Sequence, residues 1–301
     1  MQSEHIWEGI KLIEEIKFNS WREFVQKAEY GEKLGSHNNH QREVYPGGQE
    51  WDFGMGFQGS IDAAKSGWKE GAQKIQASLD ILNSHIKTKR FKTQVMPAYT
   101  QPGVLNIGRY VSGHPKPYMQ KKQIEDETGE NKSGKIVNIA FNITASAGIS
   151  SKEMFNKGAT IAALVELLER AGKRVELKAR LVATDARLVA TDGGKPPKST
   201  LRYQVPIKEA GEPIDVDRLA FSLAHPGSFR RLGFSIMEQA SEKIQKALGI
   251  GEYGFRYGSP GEWQDPEDGI YIGSTSLTGT EATRVEWIRK QLADYGITWE
   301  D

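Results

Sequence analysis

Cysteine is absent from the 301 residues of this sequence. Its absence excludes a disulfide-bonded scaffold, a thiolate nucleophile and any zinc or iron–sulfur site that needs Cys ligands. Long hydrophobic runs are also missing, since no stretch approaches the roughly 18 apolar residues of a membrane-spanning helix. The N-terminal residues include Glu4, Glu8, Glu14 and Glu15 and lack the apolar core of a signal peptide. We therefore expect a cytoplasmic protein without a membrane partner.

Neither sign of charge is in excess. Lys and Arg number 40, Asp and Glu number 39, and the formal net charge is +1, so the whole chain has no general attraction for nucleic acid or anionic membranes. The GxxxxGKS/T, HExxH and GxSxG motifs are missing. Because we find neither a nucleophile beside a base nor a dependable carboxylate pair, we expect a protein that is not an enzyme and that binds no cofactor.

Composition divides the chain at a hydrophilic, turn-rich segment, 123–134, which we interpret as a linker. Residues 1–122 are predicted to form a smaller helical or irregular region, rich in Trp and Gly. Residues 135–301 are predicted to form an α/β domain.

Helical patterns punctuate the N-terminal region. One short helix is predicted to begin at Ser20, because Glu23 follows at the spacing of a capping box. One or two further helices are predicted over 60–83, with breaks near Gly67 and Gly71.

A GxGxxG pattern, Gly54 to Gly59, precedes these helices. Dinucleotide-binding turns carry this pattern, but there it follows a buried strand and is accompanied by an acidic ribose ligand, which we do not find here. We interpret the glycines as a turn before a helix.

The C-terminal region has regular apolar periodicity. Strands are predicted over Lys135–Ser146, Arg174–Thr184, Thr200–Lys208 and Ile270–Ser276, with a last strand near residues 297–300. Helices are predicted over Ser151–Ala171, Asp217–Leu223, Gly227–Leu248 and Glu281–Tyr295. This order predicts a doubly wound, largely parallel sheet in which the second and third strands form one antiparallel hairpin. A tandem duplication, RLVATDA and RLVATDG over 180–193, is expected to lengthen that hairpin's loop.

Three polar residues follow the first of these strands. Asn142, Thr144 and Ser146 could present oxygens at the carboxyl end of a parallel sheet, where ligands bind in open α/β folds. The motif and the order of elements over 135–301 resemble the von Willebrand factor A domain. That family has Asp-x-Ser-x-Ser at this place and completes a magnesium-dependent adhesion site with a Thr and an Asp from later loops.

The chain departs from that pattern at its first position, where Asn142 replaces the carboxylate. Because Mg²⁺ prefers anionic oxygens, we expect a degenerate loop with no metal, in which Asn142 and Thr144 form hydrogen bonds. The alternative is that Asp215, Asp217 or Asp268 compensates and that Mg²⁺ binds.

The whole chain also resembles a little-characterised family associated with phage genomes, which would place it in the host-cell cytoplasm. The residues that carry this resemblance are Gly67, Trp68, Glu70 and Gly71, Gly108–Tyr110, Gly113–Pro115, the helix GATIAALVELLERAG, and Leu219–Phe234. No activity is implied by it.

Basic residues cluster in 85–122, which contains no Asp or Glu. Basic charge follows phosphates and aromatic rings stack on bases, so this composition is typical of single-strand binding, but it also suits docking on an acidic protein. The candidate nucleic-acid-binding residues are Lys87, Lys89, Arg90, Phe91, Lys92, Arg109, Tyr110, Lys116, Tyr118, Lys121 and Lys122, together with Arg230 and Arg231.

Two functions are therefore expected. The first is a non-enzymatic interaction protein, in which a degenerate von Willebrand A-like domain binds a protein partner. The second is a single-stranded nucleic-acid-binding accessory factor in phage transcription or replication. The oligomeric state is left open by the sequence.

Overall fold

The structure is a computed structural model and describes residues 2–8, 11–31, 50–85, 87–89, 91–99, 103–125, 136–185, 199–250 and 257–300. Its strands are β1 (Gln2–Glu8), β2 (Lys11–Lys17), β3 (Lys87–Lys89), β4 (Phe91–Ala98), β5 (Val104–Leu105), β6 (Tyr118–Glu125), β7 (Ile136–Asn142), β8 (Arg174–Thr184), β9 (Ser199–Lys208), β10 (Ser259–Pro260), β11 (Ile270–Ile272) and β12 (Thr298–Glu300). Its helices are α1 (Trp21–Gly31), α2 (Gly56–Ser66), α3 (Lys69–His85), α4 (Ile107–Val111), α5 (Ser151–Arg170), α6 (Val216–Leu219), α7 (Phe234–Met237), α8 (Glu242–Leu248) and α9 (Glu281–Asp294). Two π-helical turns, Ala220–Ala224 and Ser228–Gly233, lie between α6 and α7.

The main sheet has seven strands in the order β1-β2-β9-β8-β7-β11, with β10 paired to β8 beyond the end of β7. Parallel pairing joins β2 to β9, β8 to β7 and β7 to β11. The antiparallel β8–β9 hairpin was predicted, and its register places Thr184 opposite Thr200. The antiparallel pairs β1–β2 and β10–β8 were not predicted. The protein is therefore an α/β protein whose sheet is more mixed than the sequence indicated.

The N-terminal region shares this sheet and its core. β2 lies parallel beside β9, and Phe24 of α1 packs on Tyr203 of β9 with ring centroids 5.8 Å apart. The core cluster contains buried residues from both sides of the predicted linker. Of that linker, 123–125 continue β6 and the rest lies outside the described residues. Residues 2–85 thus do not form a hydrophobic core separate from that of 136–300.

Helix α5 is fixed at its start and tightly packed in its middle. Ser150 Oγ accepts a hydrogen bond from the Glu153 backbone N (3.2 Å), and the Glu153 carboxylate accepts one from the Ser150 backbone N (2.8 Å), which completes a capping box. A Cβ added at Gly158 would lie 2.4 Å from Ala224 Cα, because α5 touches the backbone of the first π-helical turn there.

Two small sheets lie apart from the main one in the topology. β4, β6 and β5 form a three-stranded antiparallel sheet, and β12 pairs with β3. The basic segment 85–122 therefore contributes strands, and the predicted last strand joins β3 and not the main sheet. Within the ranges given above, no helix is long and apolar enough to cross a membrane.

Candidate functional site

The residues after β7 lie at the carboxyl end of the parallel strands, as the sequence suggested. Asn142 ends β7 and is fully buried. Its Oδ1 accepts a hydrogen bond from the backbone N of Thr144 (2.9 Å), and its Nδ2 donates to the carbonyl oxygen of Gly261 (2.7 Å). Nδ2 also donates to the Glu262 carboxylate (3.2 Å). The Asn142 side chain thus connects the end of β7 to the segment that follows β10.

Thr144 and Ser146, the other two residues considered as metal ligands, do not direct their oxygens at a common ligand. Thr144 is buried, and its Oγ1 accepts a hydrogen bond from the backbone N of Val182 in β8 (2.8 Å). Ser146 is exposed. Asn142 and Thr144 therefore form hydrogen bonds that hold the loop to its neighbours, as expected for a degenerate loop, and the three side chains do not present their oxygens together.

Asp215, Asp217 and Asp268, the aspartates considered for a metal site, have other partners and do not contact the loop after β7. Asp268 forms a buried ion pair with Arg180. Asp215 accepts a hydrogen bond from the backbone N of Arg218 (3.0 Å) and so caps α6. Asp217 lies against Gly67.

Lys157 of α5 occupies the space at the ends of β7 and β11. Its Nζ donates to the carbonyl oxygens of Asn142 (2.9 Å), Gly273 (2.6 Å) and Ser274 (3.2 Å). A lysine nitrogen carries three protons only as an ammonium, so three simultaneous donor bonds require the charged form. Burial lowers the pKa of Lys157 to about 8, while the nearby Glu262 charge opposes that shift.

Glu262 supplies the negative charge of this site. Its Oε1 accepts from the backbone N (2.8 Å) and Oγ (2.5 Å) of Ser274, and its Oε2 accepts from Tyr271 OH (2.5 Å). Burial alone would raise the pKa of Glu262, but the hydrogen bonds from Ser274, Tyr271 and Asn142 hold it below its usual value. Burial and the hydrogen bond to Glu262 raise the pKa of Tyr271 to about 12. The carboxylate is thus charged and the phenol neutral at physiological pH.

These residues do not fit Mg²⁺. The Lys157 ammonium holds the carbonyl oxygens at the strand ends, and a divalent ion beside it would be repelled. Asn142 directs an N–H donor, not an oxygen, toward Gly261 and Glu262. The adjoining cavity, of about 30 Å³, has room for one water molecule. Across the described ranges, no group of three or more His, Asp or Glu residues is placed to hold a metal ion.

Lys157 was not predicted from the sequence, although a signal for it was present. Lys157 lies at helical spacing from Ile161, Leu164 and Leu168, all of which are fully buried. A lysine on the apolar stripe of a helix has to find a partner inside the protein. Glu262 had no comparable signal, because it lies in an irregular segment.

Arg230 and Arg231, which we predicted to contact nucleic acid, are 2% and 3% exposed. Arg230 stacks on Trp51 (3.8 Å to the ring centroid) and donates to the Trp51 carbonyl oxygen (2.7 Å). Arg231 donates to the buried carboxylate of Asp52 (2.5 Å). Both arginines therefore stabilise the interior, and that part of the prediction is wrong.

Asp52 also explains the GxGxxG pattern. Its carboxylate accepts hydrogen bonds from the backbone N of Gly54 (3.1 Å) and of Gly56 (3.1 Å), and both glycines have positive φ. Residues 51–54 form a turn, not a strand. The glycines thus wrap the start of α2 around an internal carboxylate, as expected for a turn before a helix.

Most of the remaining candidate residues lie in strands of the two small sheets. Lys87 and Lys89 are in β3, Phe91 and Lys92 in β4, and Tyr118, Lys121 and Lys122 in β6, while Arg90 lies outside the described residues. Arg109 of α4 contacts His114 Nε2 (2.7 Å), and Lys116 Nζ lies over the Tyr99 ring (4.7 Å to the centroid).

Large apolar side chains in the same part of the chain are exposed. We name this set the small-sheet patch; it comprises Val95, Met96, Tyr99, Val104, Leu105, Ile107, Tyr110 and Val111. Val104, Ile107 and Val111 are the most exposed, at 78%, 71% and 79%. Register places Val95 opposite Lys121, so apolar and basic side chains share a face of this sheet.

Comparison with known proteins gives a family but no described activity. No curated protein and no solved structure matches the chain. One family model, described as a domain of unknown function (DUF7192), matches residues 10–298, on both sides of the predicted linker. The chain therefore belongs to the DUF7192 family.

Proposed function

We propose that this protein is a non-enzymatic interaction protein that binds a protein partner through the small-sheet patch. The observation that carries the proposal is the concentration of exposed apolar surface. Among the described residues, eight of the twelve exposed large hydrophobic side chains lie between Val95 and Val111. Register places Val95 and Val104 on one face of the three-stranded sheet and Met96 and Leu105 on the other, so the exposed apolar side chains cover both of its faces. Scattered apolar residues are normal on a protein surface, whereas a concentration of them on one small unit is typical of an interaction site.

The charge around the patch defines the chemistry of the partner. The described residues 91–99 and 103–124 contain no Asp or Glu, while Arg109, Lys116 and Lys121 flank the apolar side chains. An acidic protein segment with aliphatic or aromatic side chains would complement both features.

In this proposal, residues 136–300 are a degenerate von Willebrand A-like domain that supports the patch. The order of β7, its polar loop, α5, the β8–β9 hairpin, helices and β11 is consistent with that assignment. Since Lys157 and Asn142 fill the carboxyl end of the sheet, binding at the small sheet is the more accessible route to a partner.

Single-stranded nucleic acid is the second candidate ligand. Tyr99 and Tyr110 are both exposed, and Lys116 lies over the Tyr99 ring. Exposed aromatic rings beside basic groups can stack on bases and hold phosphates. Six of the eight patch residues are aliphatic, however, and therefore suit a protein surface better than bases.

A displayed library of random peptides tests the first candidate, because it samples many partner sequences at once. Wild-type protein should enrich peptides that combine Asp or Glu with large apolar residues. A patch variant carrying Val104→Ser, Ile107→Ser and Val111→Ser should lose that enrichment. A control carrying Ile136→Ser and Val216→Ser, which changes exposed apolar residues elsewhere, should retain it.

Equal enrichment by wild type and the patch variant would contradict the proposal. Fluorescence anisotropy with labelled single-stranded DNA and RNA, at low and moderate salt, tests the second candidate. Tight, salt-sensitive binding that Tyr99→Ala with Tyr110→Ala abolishes would favour nucleic acid over protein.

A further inference from the structure

Three backbone carbonyl oxygens converge at one point at the carboxyl end of the main sheet. They belong to Asn142, which ends β7, and to Gly273 and Ser274, which follow the parallel strand β11. The point lies 2.6–3.2 Å from each oxygen and is occupied by Lys157 Nζ. Carbonyl oxygens arranged in this way are ligands typical of hard cations.

The single negative charge of Glu262, which lies near this point, balances one positive charge. Glu262 is the carboxylate that acts on Lys157, and its oxygens accept hydrogen bonds from Ser274, Tyr271 and Asn142. Those donors stabilise the charged form of the carboxylate, and its charge acts electrostatically on the ammonium. One carboxylate and one ammonium leave the site neutral, whereas a divalent ion would leave it positive.

We propose that this is a cation site whose cation is built into the chain, with the Lys157 ammonium as a tethered monovalent ion. The aliphatic stem of Lys157 delivers the charge from α5, and the carbonyl oxygens of the two strand ends replace its water. This assignment does not depend on the proposed function. The small-sheet patch is proposed to bind a partner, whereas this site is filled permanently by the protein itself and binds no external metal.

The arrangement also determines what an external ligand can do there. All three N–H bonds of the ammonium are directed at protein carbonyls, so no coordination position is left for a carboxylate from a partner. A partner therefore cannot be held by a bridging cation at this edge of the sheet.

Chemical rescue tests the proposal. Lys157→Ala removes the three methylene groups beyond Cβ together with the ammonium, a volume and charge that propylammonium restores. We expect the melting temperature of Lys157→Ala to fall, and added propylammonium chloride to raise it by several degrees. Neutral 1-propanol should not do so, and wild type should not respond to propylammonium.

Lys157→Met is the matched control, because its unbranched side chain replaces the apolar stem as far as Cε and lacks only the terminal ammonium. It should be destabilised and should not be rescued, since its side chain fills the space. A Lys157→Met protein as stable as wild type would overturn the proposal, as would rescue by 1-propanol equal to that by propylammonium.

Magnesium titration of wild type provides a test that does not depend on any variant folding. The melting temperature should be the same with Mg²⁺ or Mn²⁺ at millimolar concentration as with a chelator. Saturable stabilisation of wild type by either ion would show that the ammonium does not occupy the cation position, and would overturn the proposal.

Discussion

The Asn142→Ala substitution tests whether the loop after β7 is open to solvent or is held by a buried, hydrogen-bonded side chain. Were the side chain open to solvent, its truncation would cost little free energy of unfolding. In the structure it is fully buried and forms three hydrogen bonds, to the Thr144 backbone N, the Gly261 carbonyl and the Glu262 carboxylate. We therefore expect a large loss of stability.

The magnitude follows from those contacts. A net contribution of about 1 kcal/mol for each hydrogen bond gives about 3 kcal/mol, and the buried Thr144 N–H left without an acceptor adds to this rather than reducing it. With an m value of about 3 kcal/mol per molar urea, the urea midpoint should fall by about 1 M.

Urea unfolding followed by far-UV circular dichroism measures the effect. Ser146→Ala is the matched control, because Ser146 belongs to the same loop but is exposed, and it should change the free energy of unfolding by less than about 0.5 kcal/mol. Asn142→Asp should also destabilise, since its second oxygen would replace the Nδ2 donor that faces two acceptors. Added Mg²⁺ should not restore it.

The reasoning is refuted if Asn142→Ala unfolds within about 0.5 kcal/mol of wild type. It is refuted equally if Asn142→Asp becomes more stable in Mg²⁺, because that result would mean that the loop forms a metal site once the carboxylate is supplied.

Two further predictions concern the packing around α5 and the adjacent aromatic cluster. Gly158→Ala should lower the free energy of unfolding by about 3 kcal/mol, because its Cβ would meet the Ala224 backbone at 2.4 Å, whereas Gly211→Ala, with nothing within 4 Å, should be near neutral in the same urea assay. Burial lowers the pKa of His225 to about 4, partly offset by Asp52, so the unfolded chain binds a proton between about pH 6.5 and pH 4 that the folded chain does not. The contribution of His225 to the free energy of unfolding is therefore fully present above pH 6.5 and decreases by about 3 kcal/mol as the pH falls to 4. The free energy of unfolding of the His225→Phe variant should fall less steeply over that pH range than that of wild type. Parallel curves of unfolding free energy against pH for the two proteins would contradict the assignment.

The sequence predicted the elements whose apolar periodicity is continuous. β7, β8, β9, α5 and α9 were each identified within a few residues, and so was the β8–β9 hairpin. These elements bury residues at regular spacing, and that spacing is visible in one chain. The von Willebrand A-like assignment and both proposed functions remain predictions.

The β1–β2 hairpin was not predicted, because β2 contains charged residues that are buried, and charged residues normally indicate an exposed segment. Glu14 and Glu15 interrupt the apolar pattern of β2, but both are buried. Glu14 accepts a hydrogen bond from the Ser241 backbone N (3.1 Å), and Glu15 accepts one from Arg202 Nε (2.6 Å). Partners so distant in the chain cannot be inferred from local spacing.

The same cause explains the errors at the candidate site. Two adjacent arginines such as Arg230 and Arg231 are usually exposed, whereas here each forms a hydrogen bond with a partner inside the protein. Lys157 could not be paired from the sequence, because its carbonyl partners come from segments far apart in the chain. Local patterns indicate which face of an element is apolar, but they do not reveal how a charge on that face is neutralised.

The β8–β9 hairpin has a consequence for the history of the chain. Only the first copy of the duplicated heptad, which begins at Arg180, lies in β8, and its Thr184 is already opposite Thr200. A genetic deletion of residues 187–193 would leave 185, 186 and 194–198 to connect the strands, which is more than the roughly 2–5 residues that a hairpin loop needs. The second heptad can therefore be lost or gained while the paired residues of both strands keep their identity and register.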